Sequence, residues 1–239
     1  MTIEDVRYKH DDYSIRSDDP YAHTKYKVVM SWLPQGRDLR ILNAGCGSGE
    51  MNILLAQHKN WQIDGIDLDP EAIQLSERLK KQYNAQNLSI SLAGIETHPG
   101  RGYDVIIAND VLEHIEDDVA AIHHLAQMLK PDGVLCISVP ALQWLFGYHD
   151  VSLGHYRRYN KALLADHLSA DFNVKKSRYF GATLIPIAIL YSRILKTSYP
   201  VAQGSQNPIT GAVLRTLLGF EQTIALPTGT SLLAMATLK

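Results

Sequence analysis

Three glycines, Gly45, Gly47 and Gly49, alternate with other residues in the stretch RILNAGCGSGEMNILLA. Glycine reaches positive φ and leaves the main chain bare, so a ligand can approach it closely. An apolar run precedes the loop and a helical pattern follows it. The N–H groups at a helix start hold polar or anionic groups. A tight strand-to-helix turn with no ligand would use the same glycines. Asp67 stands 22 residues after Gly45, at the end of the next apolar run. A carboxylate there can accept hydrogen bonds from both hydroxyls of a ribose. The structural alternative is a helix cap before Pro70, for which Asp69 is better placed. Glu50 occupies the position where a dinucleotide loop has Gly or Ala. A carboxylate repels a pyrophosphate, so a nucleoside without phosphates fits better than a nicotinamide dinucleotide.

Histidine titrates near neutrality and suits proton transfer. The chain has ten. His114 follows Glu113 just beyond the apolar run YDVIIAN, where it could act as a base or fix the start of the next helix. The stretch GYHDVSLGHYRRYNK, Gly147 to Lys161, gathers His149, Asp150, His155, Arg157, Arg158 and Tyr159. His149 or His155 could be the base, oriented by Asp150. Arg157 and Arg158 could bind a carboxylate or phosphate through paired N–H donors, with Asp150 and Tyr159 beside them on the acceptor side. The alternative is a polar loop whose arginines tie it to strand ends. His149, Asp150 and His155 match no tight ligand spacing and no cysteine joins them, so no metal is expected.

The elements that must position these residues alternate. Residues 20–33 read as a helix between Pro20 and Pro34. LRILNA is a short strand, 50–58 a helix, WQIDGID a strand, and PEAIQLSERLKKQY a helix opened by Pro70. LSISLA and YDVIIAN are strands. EDDVAAIHHLAQMLK reads as a helix with Val119, Ile122, Leu125 and Leu129 on one face, closed by Lys130 and Pro131. GVLCISV is a strand, KALLADHL a helix, FNVKKSRYF a strand and SLLAMATL a last strand. Between the last two lies a helical insertion, residues 181–227, containing the connection PVAQGSQNP. Alternating strands and helices imply an α/β protein with a parallel sheet covered on both faces. Ligands bind such sheets beyond the carboxyl ends of the strands, where the glycine loop lies.

Four linked segments carry a resemblance. ILNAGCGSG, IDGIDLDPEAI, YDVIIANDVLEHIED and LAQMLKPDGVLCISVP are similar, in order and spacing over about residues 38–140, to motifs of the class I S-adenosylmethionine-dependent methyltransferases. That donor is a phosphate-free nucleoside with a zwitterionic tail and a sulfonium. The resemblance implies a seven-stranded, doubly wound Rossmann-like sheet of order 3-2-1-4-5-7-6 with its last strand antiparallel. It implies one domain over 1–239: a helical cap at 1–37, a donor-binding core at 38–140, and an acceptor side at 141–239. It implies that Gly45, Gly47 and Gly49 hold the methionine part, Asp67 the ribose and Leu68 the adenine, and that Asp110 and Val111 line the pocket near the sulfonium. Asn43 stands where the family usually has an acid for the ammonium group, and Ile95, with Gly94, stands where an Asp often meets the adenine. HDVSLGHYRRY resembles a segment of a subset of these enzymes. The expected activity is methyl transfer to a small-molecule or lipid-linked acceptor, at oxygen before nitrogen or carbon. The alternative is a non-catalytic donor-binding module with a regulatory or scaffold role.

Composition bounds the rest. At 46% hydrophobic and 20% charged, with net charge −2 and pI near 6.5, the chain has no basic stripe for nucleic acid. Two cysteines without CxxC spacing, and an N-terminus without an apolar leader, fit a reducing, cytoplasmic setting. The uncharged window Tyr179–Ser192 is 14 residues long, short of the roughly 18–20 that span a bilayer. It leaves contact with a membrane surface open. With Tyr179, Phe180, Tyr191 and Tyr199 it is expected to cover a greasy acceptor.

Overall fold

The computed structural model describes residues 19–197 and 208–239. Seven strands form one sheet: β1 (Leu39–Ala44), β2 (Trp61–Asp67), β3 (Leu88–Leu92), β4 (Tyr103–Asn109), β5 (Leu129–Pro140), β6 (Phe172–Phe180) and β7 (Ser231–Leu238). Their order is β3-β2-β1-β4-β5-β7-β6. The first five run parallel, and β7 lies antiparallel between β5 and β6. The expected topology is therefore present.

Helices cover both faces: α1 (Pro20–Met30), α2 (Glu50–Ala56), α3 (Pro70–Gln82), α4 (Asp118–Met128), α5 (Tyr148–Ser152), α6 (Lys161–Leu168), α7 (Ile185–Ala188) and α8 (Pro208–Thr223). Strand side chains alternate between faces. Leu42, Ala44, Ile106 and Ala108 point into one core with Ile122, Leu125, Leu164 and Leu168. Ile41, Val105 and Ile107 point into the other with Val28, Val29, Met51, Leu55 and Leu218. Two layers of apolar side chains thus fix the strand tips.

Local chemistry sets the boundaries. Asp19, Asp69, Asp117 and Asn160 each accept a hydrogen bond from an N–H in the first turn of the following helix, satisfying an orphan donor. The fourth helix ends sooner than its sequence pattern implies. Leu129 turns extended and pairs with Tyr103, so Lys130 and Pro131 begin β5 instead of closing α4. Val119 is accordingly exposed, and Ala121, Ile122, Leu125 and Ala126 make the buried face. The insertion after β6 is helical but irregular: a 3-10 turn at Ala182–Leu184, then α7, then a π turn at Ile189–Leu195. Most of PVAQGSQNP, and Tyr199, lie outside the described residues. Among the described residues no helix is long and apolar enough to cross a membrane.

Candidate functional site

The carboxyl ends of β1, β2, β4 and β5 open on one cleft. Cys46 N donates to Ile66 O (2.8 Å), which folds the glycine turn across the end of β2. Gly45 has φ +68, and a Cβ on it would stand 2.3 Å from Val111 Cγ2. Close approach of the β4 turn therefore requires glycine there. Gly47 has φ +53 with open space where a side chain would be, and Gly49 has φ +99 at the start of α2. Three successive alternate residues with positive φ leave a bare concave main chain, the form that takes a polar ligand tail.

Asp67 ends β2 and is held before any ligand arrives. Gly47 N donates to Oδ2 (2.8 Å) and Asp69 N to Oδ1 (3.0 Å). A carboxylate offers about four lone-pair sites, so acceptor capacity remains for sugar hydroxyls. Asp69, not Asp67, caps α3. Leu68 is 53% exposed beside Gly94, and Ile95 is buried behind them. Asn43 is buried and donates to Asn52 Oδ1 (2.8 Å), which spends its donor group inside the core.

Asp110 has φ +54, a left-handed position uncommon for a residue with a Cβ. Its N–H donates to Ser138 O (2.8 Å), locking the end of β4 to β5. Its carboxylate is 40% exposed and is ion-paired with Lys25 of α1. Lys25 is buried, over the Tyr21 ring. Burial disfavours its charge, but Asp110 and the neighbouring tyrosines more than compensate and raise its pKa. Nothing in the sequence marks Lys25, because a lysine within a helix reads as solvated.

Beyond Val111 the chain makes a 3-10 turn, Leu112–His114. Glu113 O accepts from Tyr156 N (2.8 Å), which draws the loop before α6 onto this turn. His155 thereby stands against His114, ring centroids 4.5 Å apart and nearly perpendicular. His155 Nδ1 is 3.0 Å from Asp150 Oδ1. Asp150 is fully buried; burial pushes its pKa up, but hydrogen bonds from His155 and Arg158 and the Arg158 charge hold it at about 2. It therefore orients His155 as an ionised carboxylate. Glu113 is 1% exposed, and burial plus the nearby Asp110 raise its carboxyl well above the usual range. The ligand atoms of Glu113, His114 and His155 lie within 4.8 Å of one another. His149 lies in α5, and burial lowers its pKa to about 4.

The residues expected on the acceptor side make bonds within the chain. Arg158 is buried, donating to Asp150 Oδ1 (2.7 Å) and Ala141 O (3.2 Å). Arg157 donates to Ile115 O (3.0 Å) and Glu116 O (2.6 Å) and pairs with Asp118 (2.8 Å). Tyr159 is fully buried with its hydroxyl on Asp118. These residues bind the protein's own carbonyls and carboxylates, and Asp150 serves His155. Phe180 is also core, stacked on Tyr21.

This sheet order, with a bare glycine turn after β1 and a carboxylate at the end of β2, is that of a Rossmann-like protein of the methyltransferase type. The chain belongs to the methyltransferase domain family, whose model matches residues 21–182. It is 31% identical over 103 residues to a ubiquinone biosynthesis O-methyltransferase of Azoarcus sp., covering 41% of this chain and 43% of that protein. It is 28% identical over 163 residues to a malonyl-[acyl-carrier protein] O-methyltransferase of Acetivibrio thermocellus, covering 65% and 54%. The chain thus spans about half the length of the curated relatives it matches. The fold is shared with NodS, an N-methyltransferase of Bradyrhizobium japonicum solved with S-adenosyl-l-homocysteine: TM-score 0.57, 21% identity, 73% of this chain and 86% of that one. It is also shared with phosphoethanolamine N-methyltransferase 2 of Haemonchus contortus, solved with S-adenosyl-L-methionine: TM-score 0.67, 14% identity, 99% and 60%.

Proposed function

We propose that this chain transfers a methyl group from S-adenosylmethionine to an oxygen of a small-molecule or lipid-linked acceptor. The observation that carries the reading is the continuity of two features: a glycine turn suited to a phosphate-free nucleoside, and a Glu–His–His group one turn beyond Val111, which packs on Gly45. The donor tail lies along Gly45, Gly47 and Gly49, the ribose on Asp67 and the adenine on Leu68 and Ile95. The sulfonium then faces Asp110 and Val111. An acceptor hydroxyl placed there attacks the methyl carbon. A new C–O bond forms, the C–S bond breaks, and the electron pair returns to sulfur. The hydroxyl proton leaves through the group formed by His114 and His155. Alignment supplies much of the acceleration, and proton removal typically another ~10²–10⁴-fold.

Oxygen is favoured because both relatives named above are O-methyltransferases. A lipid-linked body is favoured by the exposed Ile187, Leu190, Ile194 and Leu195 beside Arg193 and Lys196, a face suited to greasy acceptors or a membrane surface. The test is a methyl-label screen of polar and lipid extracts, with products identified by mass, beside a titration of S-adenosylmethionine against a nicotinamide dinucleotide. Labelled O-methyl product and selective donor binding support the reading. Donor binding without turnover in any extract would leave a binding module; preference for the dinucleotide would overturn the whole assignment.

A further inference from the structure

The group beyond β4 has the makings of more than a proton acceptor. Glu113, His114 and His155 present one carboxylate and two imidazoles, with ligand atoms mutually within 4.8 Å. Two imidazoles and one carboxylate form a common set for a catalytic zinc-type ion, which keeps a further position open. At a tetrahedral ion with bonds of about 2.1 Å, ligand atoms lie roughly 3.4 Å apart. Closing from 4.8 Å needs side-chain shifts of about an ångström.

Two independent observations point to an ion. Glu113 is 1% exposed and its Oε2 has no hydrogen-bond partner among the described residues, a costly state for a buried oxygen. His155 already has the outer-shell arrangement of a metal ligand. Its Nδ1 is 3.0 Å from the Asp150 carboxylate, which leaves Nε2 for a ligand. Metal-binding histidines almost always donate their second nitrogen in this way. Asp150 is in turn fixed by Arg158 Nε (2.7 Å) and by the N–H of Gly147 (3.0 Å). A base needs only one nitrogen near its proton; a supported ring beside a second imidazole and a carboxylate oxygen without a partner among the described residues matches what a coordination shell requires. The spacing within 147–161 could not show this, because two of the three ligands come from the turn after β4.

We propose that Glu113, His114 and His155 bind one divalent ion of the zinc or cobalt type, whose open position takes the acceptor oxygen and acidifies its hydroxyl, which then releases its proton to water, so that with the ion bound the two imidazoles act as ligands in place of bases. The acceptor class this implies has a hydroxyl with a second oxygen beside it, such as a catechol or a hydroxy-acid, able to chelate. This last point rests on the methyl-transfer reading; ion binding does not.

The test uses the full chain, freed of metal by a chelator and then titrated with Zn²⁺ in the absence of donor and acceptor. One ion per chain is expected. Glu113→Gln and His155→Gln should each weaken binding at least ~10-fold. Wild-type protein loaded with Co²⁺ should show the visible absorption of a four- or five-coordinate ion. No stoichiometric Zn²⁺ binding, variants that bind like wild type, or a Co²⁺ spectrum equal to that of the hydrated ion would each overturn the proposal. The cobalt spectrum needs no variant, so a misfolded substitution does not stall the test. Because neither titration involves methyl transfer, failure here leaves the donor assignment standing, and the converse holds.

Discussion

His149 is neutral in the folded protein over most of the acidic range, because burial lowers its pKa to about 4 while an unfolded chain protonates near its ordinary 6.5. Between those values the unfolded state binds the extra proton, so stability falls as pH falls from about 6.5 to 4. The full loss is on the order of 3 kcal/mol. Urea unfolding at pH 7 and pH 5 should show it, and His149→Gln should flatten the dependence. Asp150 acts in the lower window. Its folded pKa near 2 lies below the usual 3.8, so its contribution is present above pH 4 and lost as pH falls through 2. A third expectation concerns Asp67: Asp67→Ala should weaken donor binding by about 1–3 kcal/mol, read as a roughly 5- to 150-fold rise in Kd. An unchanged Kd would remove the ribose from β2. Sequence gave access to these residues unevenly. Asp67 and Asp69 could be told apart, since a cap must sit beside Pro70. Arg157 and Arg158 could not be read, because a guanidinium that binds an acceptor's carboxylate and one that binds its own chain's carbonyls are the same residue type in the same loop.

At the scale of elements, Glu221 joins α8 to the end of β6. Its buried carboxylate accepts from the N–H groups of Gly181, Ala182 and Thr183 and from the Thr183 hydroxyl. Arg178 returns the link by donating to the carbonyls of Glu221, Gln222 and Ile224 at the C-terminus of α8. Glu221→Ala would orphan three amides and should cost roughly 3 kcal/mol or more, measurable as a lowered denaturation midpoint with an unchanged slope. Periodicity located nearly every strand of the sheet, because two buried faces impose apolar runs. It misplaced the end of α4, where pairing of Leu129 with Tyr103 overrode a lysine and proline that read as a stop. It read 181–227 as a helical insertion but not the irregular start of that insertion, where the backbone changes pitch twice. The Glu–His–His group was legible only in halves, since hydrogen bonding between Tyr156 and Glu113, a contact 43 residues apart, brings the halves together.

Across the whole molecule, the first and last described elements meet over the cleft. The Tyr21 hydroxyl bonds to Thr230 (2.9 Å) and Ser231 (2.7 Å), α1 packs on α8, and Lys25 reaches Asp110. Lys25, itself buried, thus ties α1 to the turn after β4 through its ion pair with Asp110. Lys25→Met should lower stability and also change donor affinity. Lys25→Ala with an unaltered donor Kd would show that α1 is only a lid. Such long-range pairing is invisible to local pattern, which explains why the cap at 1–37 could be expected but its cation could not.

Asp67 carries a consequence for the encounter itself. Two main-chain amides pin its carboxylate before a nucleoside arrives. Freezing a wandering side chain at the moment of capture costs about 0.5–1.5 kcal/mol; here that ordering is completed during folding. Sugar recognition should therefore proceed as a single kinetic phase, with no slow rearrangement trailing behind it.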